Sequence, residues 1–537
     1  MSEGERSSSE LPASIDGAVG RLAIILGDQL APDAPALRGL DPARDAVLMM
    51  EVASEAAEGP SHKMRTGVFL AAMRHYAIEL QDAGWRVRYI KLDEARNTQT
   101  FTGEVRRAVQ VLKPNSLRLA HPGDWRVLEA AQVWEDDLGV PVEIVEDDHF
   151  YVTPDEFGAW AEGRKSLVME FFYREQRKRL GVLMDSNGKP LGGQWNFDED
   201  NRESFNRTPR VVKAYKPRPT RIVREVIELV RERFPNAPGE LDEDGFVWPV
   251  TRAQALRSLS SFIEHRLPLF GKYEDAMWTG EDVLYHSQLS VPLNLHLLDP
   301  RECVAAAVEA YERGDAPLNS VEGFVRQLIG WREFIRGVYW HEGPGYRERN
   351  GLEATGALPG FYWDGETDMR CMSECLRPVL RHAWAHHIPR LMVLCNFAMI
   401  AGVHARAVGD WFYGMFADSV DWVTTPNTIG MGMHADKGGN GPVVGTKPYA
   451  ASGKYIARMS NYCEHCRYDV KQRTGEDACP YNTFYWDFLI RHRERFRGNQ
   501  RMAMILKNVD RMQDSERVEI TVNARKLRGT MGIAGGE

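Results

Sequence analysis

Leu22-Ala23-Ile24-Ile25-Leu26, closed by Gly27-Asp28-Gln29, decides how the first part of this chain folds. Five consecutive apolar residues ended by a turn-forming triplet read as a strand buried on both faces, because a strand with one wet face alternates polar and apolar side chains. Related short runs return at Ala46-Val-Leu-Met-Met50, Val87-Arg-Tyr-Ile90, Leu117-Arg-Leu-Ala120 and Val142-Glu-Ile-Val145. Helical stretches such as Thr66 to Ala83 and Phe101 to Leu112 lie between them. Strands alternating with helices predict a doubly wound parallel sheet, an α/β domain over residues 19–150. Asp28 and Gln29 close the first strand and Glu55 follows the second, at the carboxyl ends where open α/β sheets bind ligands. No G-x-G-x-x-G follows any of these strands, so a nicotinamide cofactor has no support.

Outward from that sheet the texture changes. Residues 1–18, rich in Ser, Glu and Gly, are expected to be a disordered tail. Residues 151–240 read as a connector. It holds a basic, aromatic helix from Met169 to Arg179, then Trp195-Asn-Phe-Asp198, then Lys216-Pro-Arg-Pro-Thr-Arg221. Residues 241–513 carry helical periodicity almost throughout and predict an all-α domain; 514–537 are expected to be a C-terminal tail. The chain of 537 residues has a net charge of −9, which excludes a uniformly basic nucleic-acid coat, so any polyanion must meet a local positive face. No run approaches the length of a membrane span, and seven cysteines without a secretory signal point to a reducing cytoplasm.

Metal chemistry is signalled near the end of the chain. Cys463, Cys466 and Cys479 follow the order C-x2-C-x12-C-P. Two thiolates three residues apart can grip one centre without backbone strain, and a third with proline behind it suits structural zinc or an iron–sulfur cluster. The fourth ligand must come from elsewhere in the chain.

Further residues carry a family resemblance. Tyr285-His-Ser-Gln-Leu-Ser290 followed by Trp331-Arg332-Glu333-Phe334 is similar to the flavin-binding half of photolyases and cryptochromes. Ala385-His386-His387-Ile-Pro-Arg390, Lys447-Pro-Tyr449-Ala-Ala-Ser-Gly453 and the cysteine spacing resemble the iron–sulfur bacterial cryptochrome/photolyase branch, the prokaryotic (6-4) photolyases. The resemblance runs from about Arg21 to about Met512. It implies an N-terminal antenna domain, 19–150, binding 6,7-dimethyl-8-ribityllumazine through Asp28, Gln29 and Glu55. It implies FAD held in the helical domain by Ser287, Gln288, Leu289, Ser290, Gln327, Trp331, Arg332, Arg390, Asn396, Asp418, Thr424 and Asn427. A [4Fe-4S] cluster would sit on Cys463, Cys466, Cys479 and one of Cys371 or Cys375, with Cys371 favoured.

The same resemblance places His386, His387 and Tyr449 in a catalytic pocket and Trp363 and Trp411 in an electron relay. Two positions depart from relatives. Thr424 stands opposite flavin N5 where acids or amides are usual, and Phe412 replaces a tyrosine at the outer end of the relay, where Tyr413 is a substitute. The implied activity is light-driven repair of (6-4) lesions in UV-damaged DNA by a cytoplasmic bacterial monomer. Arg174, Arg177, Lys178, Arg179, Lys213, Lys216, Arg218 and Arg221 would grip phosphates. A photoreceptor on the same scaffold is the alternative. An iron–sulfur protein that handles nucleic acid without light is the third reading.

Overall fold

The computed structural model describes residues 3–12, 15, 17–57, 59–436 and 443–533. Strands β1 (Arg21–Ile24), β2 (Ala46–Met50), β3 (Val87–Ile90), β4 (Ser116–Ala120) and β5 (Val142–Val145) form one parallel sheet in the order β3-β2-β1-β4-β5. Successive side chains of a strand face opposite ways. Ala23, Val47 and Met49 therefore enter one core while Leu22, Ile24, Ala46 and Leu48 enter another, which is why the runs read as continuously apolar. The strand order reverses between β1 and β4, and such a switch point opens a crevice at the carboxyl ends of the strands. Crossover helices begin on side-chain caps: His62 for Lys63–Asp82, Thr100 for Phe101–Leu112 and Asp124 for Trp125–Leu138.

Helices dominate from Arg252 onward. Three of the helical runs are widened into π-turns, at Arg326–Arg332, Pro389–Cys395 and Pro426–Gly432. Such turns free backbone groups and are common at functional sites. They contain Gln327, Trp331, Arg332, Arg390 and Asn427, all singled out in the sequence.

The connector is built into the body rather than strung across it. Its helix Arg221–Arg233 buries Ile222, Val223, Val226, Ile227 and Val230. Its helix Met169–Leu180 presses Tyr173 against Gly330, where an added Cβ would stand 3.1 Å from the ring. The expected tails are corrected in the described residues. Leu11 is buried, Ser7 caps a 3-10 turn, and Ser8 donates its N–H to Glu225 at 2.7 Å. At the other end, Asp514–Thr530 is a helix with Ile520 and Ala524 fully buried and Arg528 paired to Asp487. In both places a few apolar residues inside a polar stretch suffice to anchor the chain.

One clasp between the two halves titrates. His62 is fully buried; its Nδ1 accepts from the Met64 N–H at 2.9 Å, and its Nε2–H donates to the Leu380 carbonyl at 3.0 Å. Burial pushes its pKa from 6.5 down to about 4, so the native protein resists a proton that the unfolded chain accepts. Stability from this group is thus whole above pH 6.5 and is lost as pH falls through 4. The advantage of wild type over His62→Gln should shrink by about 3 kcal/mol across that window. Urea unfolding of both proteins at pH 7 and at the acid end measures it.

Candidate functional site

A contiguous set of polar contacts joins residues far apart in sequence. Gln327 donates its amide to Glu274 at 3.0 Å, and His286 bonds the Glu274 carbonyl at 3.1 Å. His286 stacks on His386 with ring centroids 4.0 Å apart. Four residues further on, Arg390 grips Asp418 through two bonds of 3.0 and 2.8 Å, and its guanidinium lies 4.1 Å over the Phe416 ring. Asp418 is almost fully covered, so this pair carries a desolvation cost that only its bidentate geometry offsets.

The two histidines differ in exposure. His386 is buried, with Nδ1 lacking a partner, whereas His387 is solvent-exposed. Crowding walls still desolvate His387, so it lines a recess rather than the outer surface. Burial, then Arg390, pushes its pKa down to about 4; burial, then His286, His387 and Arg390, holds His386 well below the usual range. Both rings are neutral at pH 7 before any ligand arrives. Tyr449 is half-buried, and burial raises its phenol pKa.

Ser287, Gln288 and Ser290 are half-exposed between the buried Leu284–His286 and Leu289. Gln288 adopts φ +55°, a left-handed turn that directs its side chain away from the core. Arg266 fixes the turn by donating to the carbonyls of His286 and Ser287 at 3.0 and 3.4 Å. Ser290 opens the helix Ser290–Asn294. Trp331 is half-buried against Phe334. Asn427 is half-exposed one turn past Val423, whose carbonyl takes its amide at 2.7 Å.

Several of the singled-out residues meet the chain itself. Arg332 turns away from the recess. Its guanidinium lies 4.2 Å over Phe150 and 5.0 Å over Trp422, in the seam between the halves. It follows Trp331 by one residue and so projects from another face of the helix. Asn396 has its amide in bonds with Met392 and Ala451, which makes it a brace between segments. Leu289 is buried, and Ser287 Oγ already accepts its N–H at 3.3 Å. The Thr424 hydroxyl pairs with Ser419 at 2.7 Å. Gln29 is buried and donates to the Ala120 and His121 carbonyls, behind the ligand crevice. Arg177 is fully buried, with carbonyls of Val182, Leu183 and Trp195 as acceptors, so it cannot grip a phosphate. Arg179 donates to Gln176 and Tyr151, and Arg174 pairs with Glu170. Lys178, Lys213 and Arg218 are exposed.

The sheet crevice is a cavity of about 110 Å³ between the strand ends and the helical half. Asp28, Glu55 and Asp124 line it with Met50, Phe69 and Phe101, and Tyr413 and Ser419 close it from the other side. Burial first, then Asp147, pushes Asp28 up to about 7. Burial also raises Glu55, against the pull of Arg126 at 2.7 Å. Tyr413, with Arg65 4.9 Å over its ring, lines this cavity. Trp411 is buried and donates Nε1–H to the Tyr362 carbonyl at 3.1 Å. Trp363 is half-buried on the short helix Phe361–Asp364.

Cys371, Cys463, Cys466 and Cys479 line a second, small cavity with Tyr468, Val470 and Tyr481. Cys375 is not among them; it is buried and hydrogen-bonded to Tyr462. Burial and the neighbouring thiols push Cys463 up to about 12 and hold Cys371 well above its ordinary value. Burial thus disfavours thiolates in the apolar chamber unless a cation compensates their charge. A Cβ on Gly453 would stand 2.8 Å from Cys479 Sγ, so glycine keeps the chamber open. Among the described residues no group of three or more His, Cys, Asp or Glu is set to hold a single metal ion. A zinc site would need sulfurs roughly 4 Å apart around one centre; an extended cluster spreads them over its corners.

Sequence reading gave no role to His286, Glu274 or Arg65. A histidine or glutamate in an irregular loop carries no periodic signal, and its role appears only when distant segments meet.

Comparisons with known proteins agree with this architecture. Residues 23–246 match the family described as deoxyribodipyrimidine photo-lyase-related protein. The (6-4) photolyase of Agrobacterium fabrum is 45% identical over 508 residues, covering 94% of this chain and 98% of that protein. A crystal structure of a bacterial class III photolyase from Agrobacterium tumefaciens superposes with a TM-score of 0.54 at 14% identity, over 96% of this chain and 99% of that one. A Synechocystis cryptochrome gives the same TM-score at 13% identity, over 83% and 89%. The low identity of these superpositions speaks for the fold alone, whereas the near full-length match at 45% identity carries kinship. The chain belongs to the photolyase/cryptochrome family, on the branch of the bacterial (6-4) photolyases.

Proposed function

We propose that this protein uses light to reverse (6-4) pyrimidine–pyrimidone lesions in UV-damaged DNA. The reading rests on one observation above others: exposed His387 sits beside His386 and the Arg390–Asp418 pair in one recess, in a chain 45% identical from end to end to a (6-4) photolyase. The family implies FAD. The recess suits it, with Ser287, Gln288 and Ser290 turned out of the core and a half-exposed guanidinium at Arg390. Reduced FAD, when bound, supplies light-driven one-electron chemistry.

This chain's own residues would do the rest. Gln327, Trp331 and Asn427 would help hold the cofactor, and Arg390, held in place by Asp418, would supply positive charge to it. Thr424, tied to Ser419, offers little polarity at the flavin edge. Tyr449 and His386 shape a lesion pocket that excludes water. His387 carries the proton. It is neutral beforehand and becomes an acid when negative charge arrives beside it. The lesion must leave the duplex to reach the recess, and Lys178, Lys213 and Arg218 would meet the flanking phosphates, giving salt-sensitive binding without base readout.

Cys371, Cys463, Cys466 and Cys479 would hold a [4Fe-4S] cluster whose first duty is to tie the helix Arg370–His382 to the segment 453–481. The sheet cavity would take the ribityllumazine antenna, with Asp28 and Glu55 accepting its hydroxyl and N–H donors and Met50 and Phe101 covering the ring. The protein would work as a monomer in a reducing cytoplasm, which keeps its seven cysteines free. Heat-denatured protein should release flavin and a second, lumazine-like chromophore, and acid should release iron. Chromatography and iron assay check all three. A colourless, flavin-free protein would overturn the reading.

A further inference from the structure

The outer step of the expected relay is closed in this chain. Phe412 is buried, and its hard-to-oxidise ring stacks on Phe416 with centroids 5.1 Å apart. Trp411 has another neighbour. Tyr362 meets it edge to face at 5.1 Å. From Tyr362 the rings continue without a gap through Phe361 at 5.3 Å, Phe397 at 5.6 Å and Tyr481 at 5.3 Å. Tyr481 lines the four-cysteine cavity. In the other direction Phe416 lies 5.7 Å from Trp411 and carries Arg390 over its face.

The two phenols are also anchored on one turn. Tyr362 donates to the Leu394 carbonyl at 2.8 Å and Tyr481 to the Val393 carbonyl at 3.0 Å. These are consecutive residues of the π-turn Pro389–Cys395, so one turn fixes both rings. Mere packing would be served by phenylalanine, without the desolvation of two hydroxyls.

We propose that Trp411, Tyr362 and Tyr481 form an electron conduit joining the flavin recess to the four-cysteine cavity, and that the iron–sulfur group refills the relay through it. The inference rests on the cofactor reading given under Proposed function. Entry from solvent is at Cys463 and Cys466, which are half-exposed. The step balances as follows: illuminated oxidised flavin takes one electron from the Trp411 indole, and the indole recovers one electron from the iron–sulfur group, which is oxidised by one unit. No bond is made or lost overall: each phenol's proton leans to its carbonyl acceptor while the ring is oxidised and returns when the ring is reduced. A small soluble one-electron reductant then resets the cluster.

The experiment uses holoprotein with oxidised flavin and iron bound. It is illuminated with blue light without added reductant, frozen, and examined by electron paramagnetic resonance. The expected result is a signal from the one-electron-oxidised cluster that grows as the flavin absorbance falls. Tyr362→Phe and Tyr481→Phe, compared at wild-type iron and flavin content, should lose that cluster signal because they keep the ring packing and remove the oxidisable phenol, and Tyr362→Leu should lose it as well. Flavin reduction in wild type with no change at the cluster would overturn the proposal, as would a full signal in Tyr362→Leu. Protein reduced chemically beforehand needs no refilling, so Tyr362→Leu should then repair as wild type does. Failure of reduced wild type to repair would sink the functional reading and leave the conduit to its own measurement.

Discussion

His387→Ala should lose repair by a factor on the order of 10²–10⁴ while keeping its flavin, the range expected when a positioned acid is removed. Among the pocket residues His387 combines exposure with a densely packed surround. Its pKa of about 4 looks wrong for an acid, since at pH 7 it holds no extra proton. The value belongs to the ligand-free recess, where the Arg390 charge and desolvation both oppose protonation. Flanking phosphates and the electron that reaches the lesion reverse that balance. His386→Ala tests a different role, because His386 stacks on His286 and is buried; its loss should loosen the pocket and lower binding as well. Repair of a lesion-bearing oligonucleotide, followed by chromatography beside the flavin spectrum, separates the two. Wild-type repair by His387→Ala would remove it from the chemistry.

The second large effect is expected at the cysteines. Cys479→Ser should yield protein without iron, unstable or insoluble, because the site joins the helix Arg370–His382 to segments almost a hundred residues away. A metal site of that kind is worth on the order of 10 kcal/mol, comparable with a whole domain's stability. Burial pushes Cys479 up to about 11, and the N–H groups of Tyr481 and Asn482, at the start of the helix Pro480–Arg491, point back at it and offset part of that rise. Cys375→Ala, by contrast, should retain full iron and cost only about 1–2 kcal/mol of packing. Iron assay and visible absorbance of the two variants decide the matter. Equal iron loss in both would mean that the chamber is not the ligand set.

Much of this was written legibly in the chain. The strands announced themselves because burial on both faces forbids polar alternation, and the C-x2-C spacing declared itself because close thiolates serve few other ends. The Arg390–Asp418 pair became visible only through family resemblance, since nothing in sequence tells a buried ion pair from two surface charges 28 residues apart. The choice between Cys371 and Cys375 was a matter of which way one helix face points, and the cavity takes the first while Tyr462 takes the second. The surroundings of Asn396 and Arg177 were illegible for one shared reason. Each is a strong hydrogen-bonding residue in a suggestive stretch, and sequence cannot say whether its partners will be a ligand or the chain's own carbonyls. The π-turns that bend Gln327, Arg390 and Asn427 toward the site have no composition signature at all.

The central claim is that the helical half holds a photoactive flavin beside a pocket built for a damaged pyrimidine pair. Its most direct test is to illuminate chemically reduced holoprotein with an oligonucleotide carrying one (6-4) lesion, and to follow the loss of the lesion's near-ultraviolet absorbance and the return of intact thymines. Light-dependent restoration, absent in the dark, is the predicted outcome. Flavin-loaded, reduced protein that leaves the lesion untouched under light would contradict it and point instead to a photoreceptor on the same scaffold.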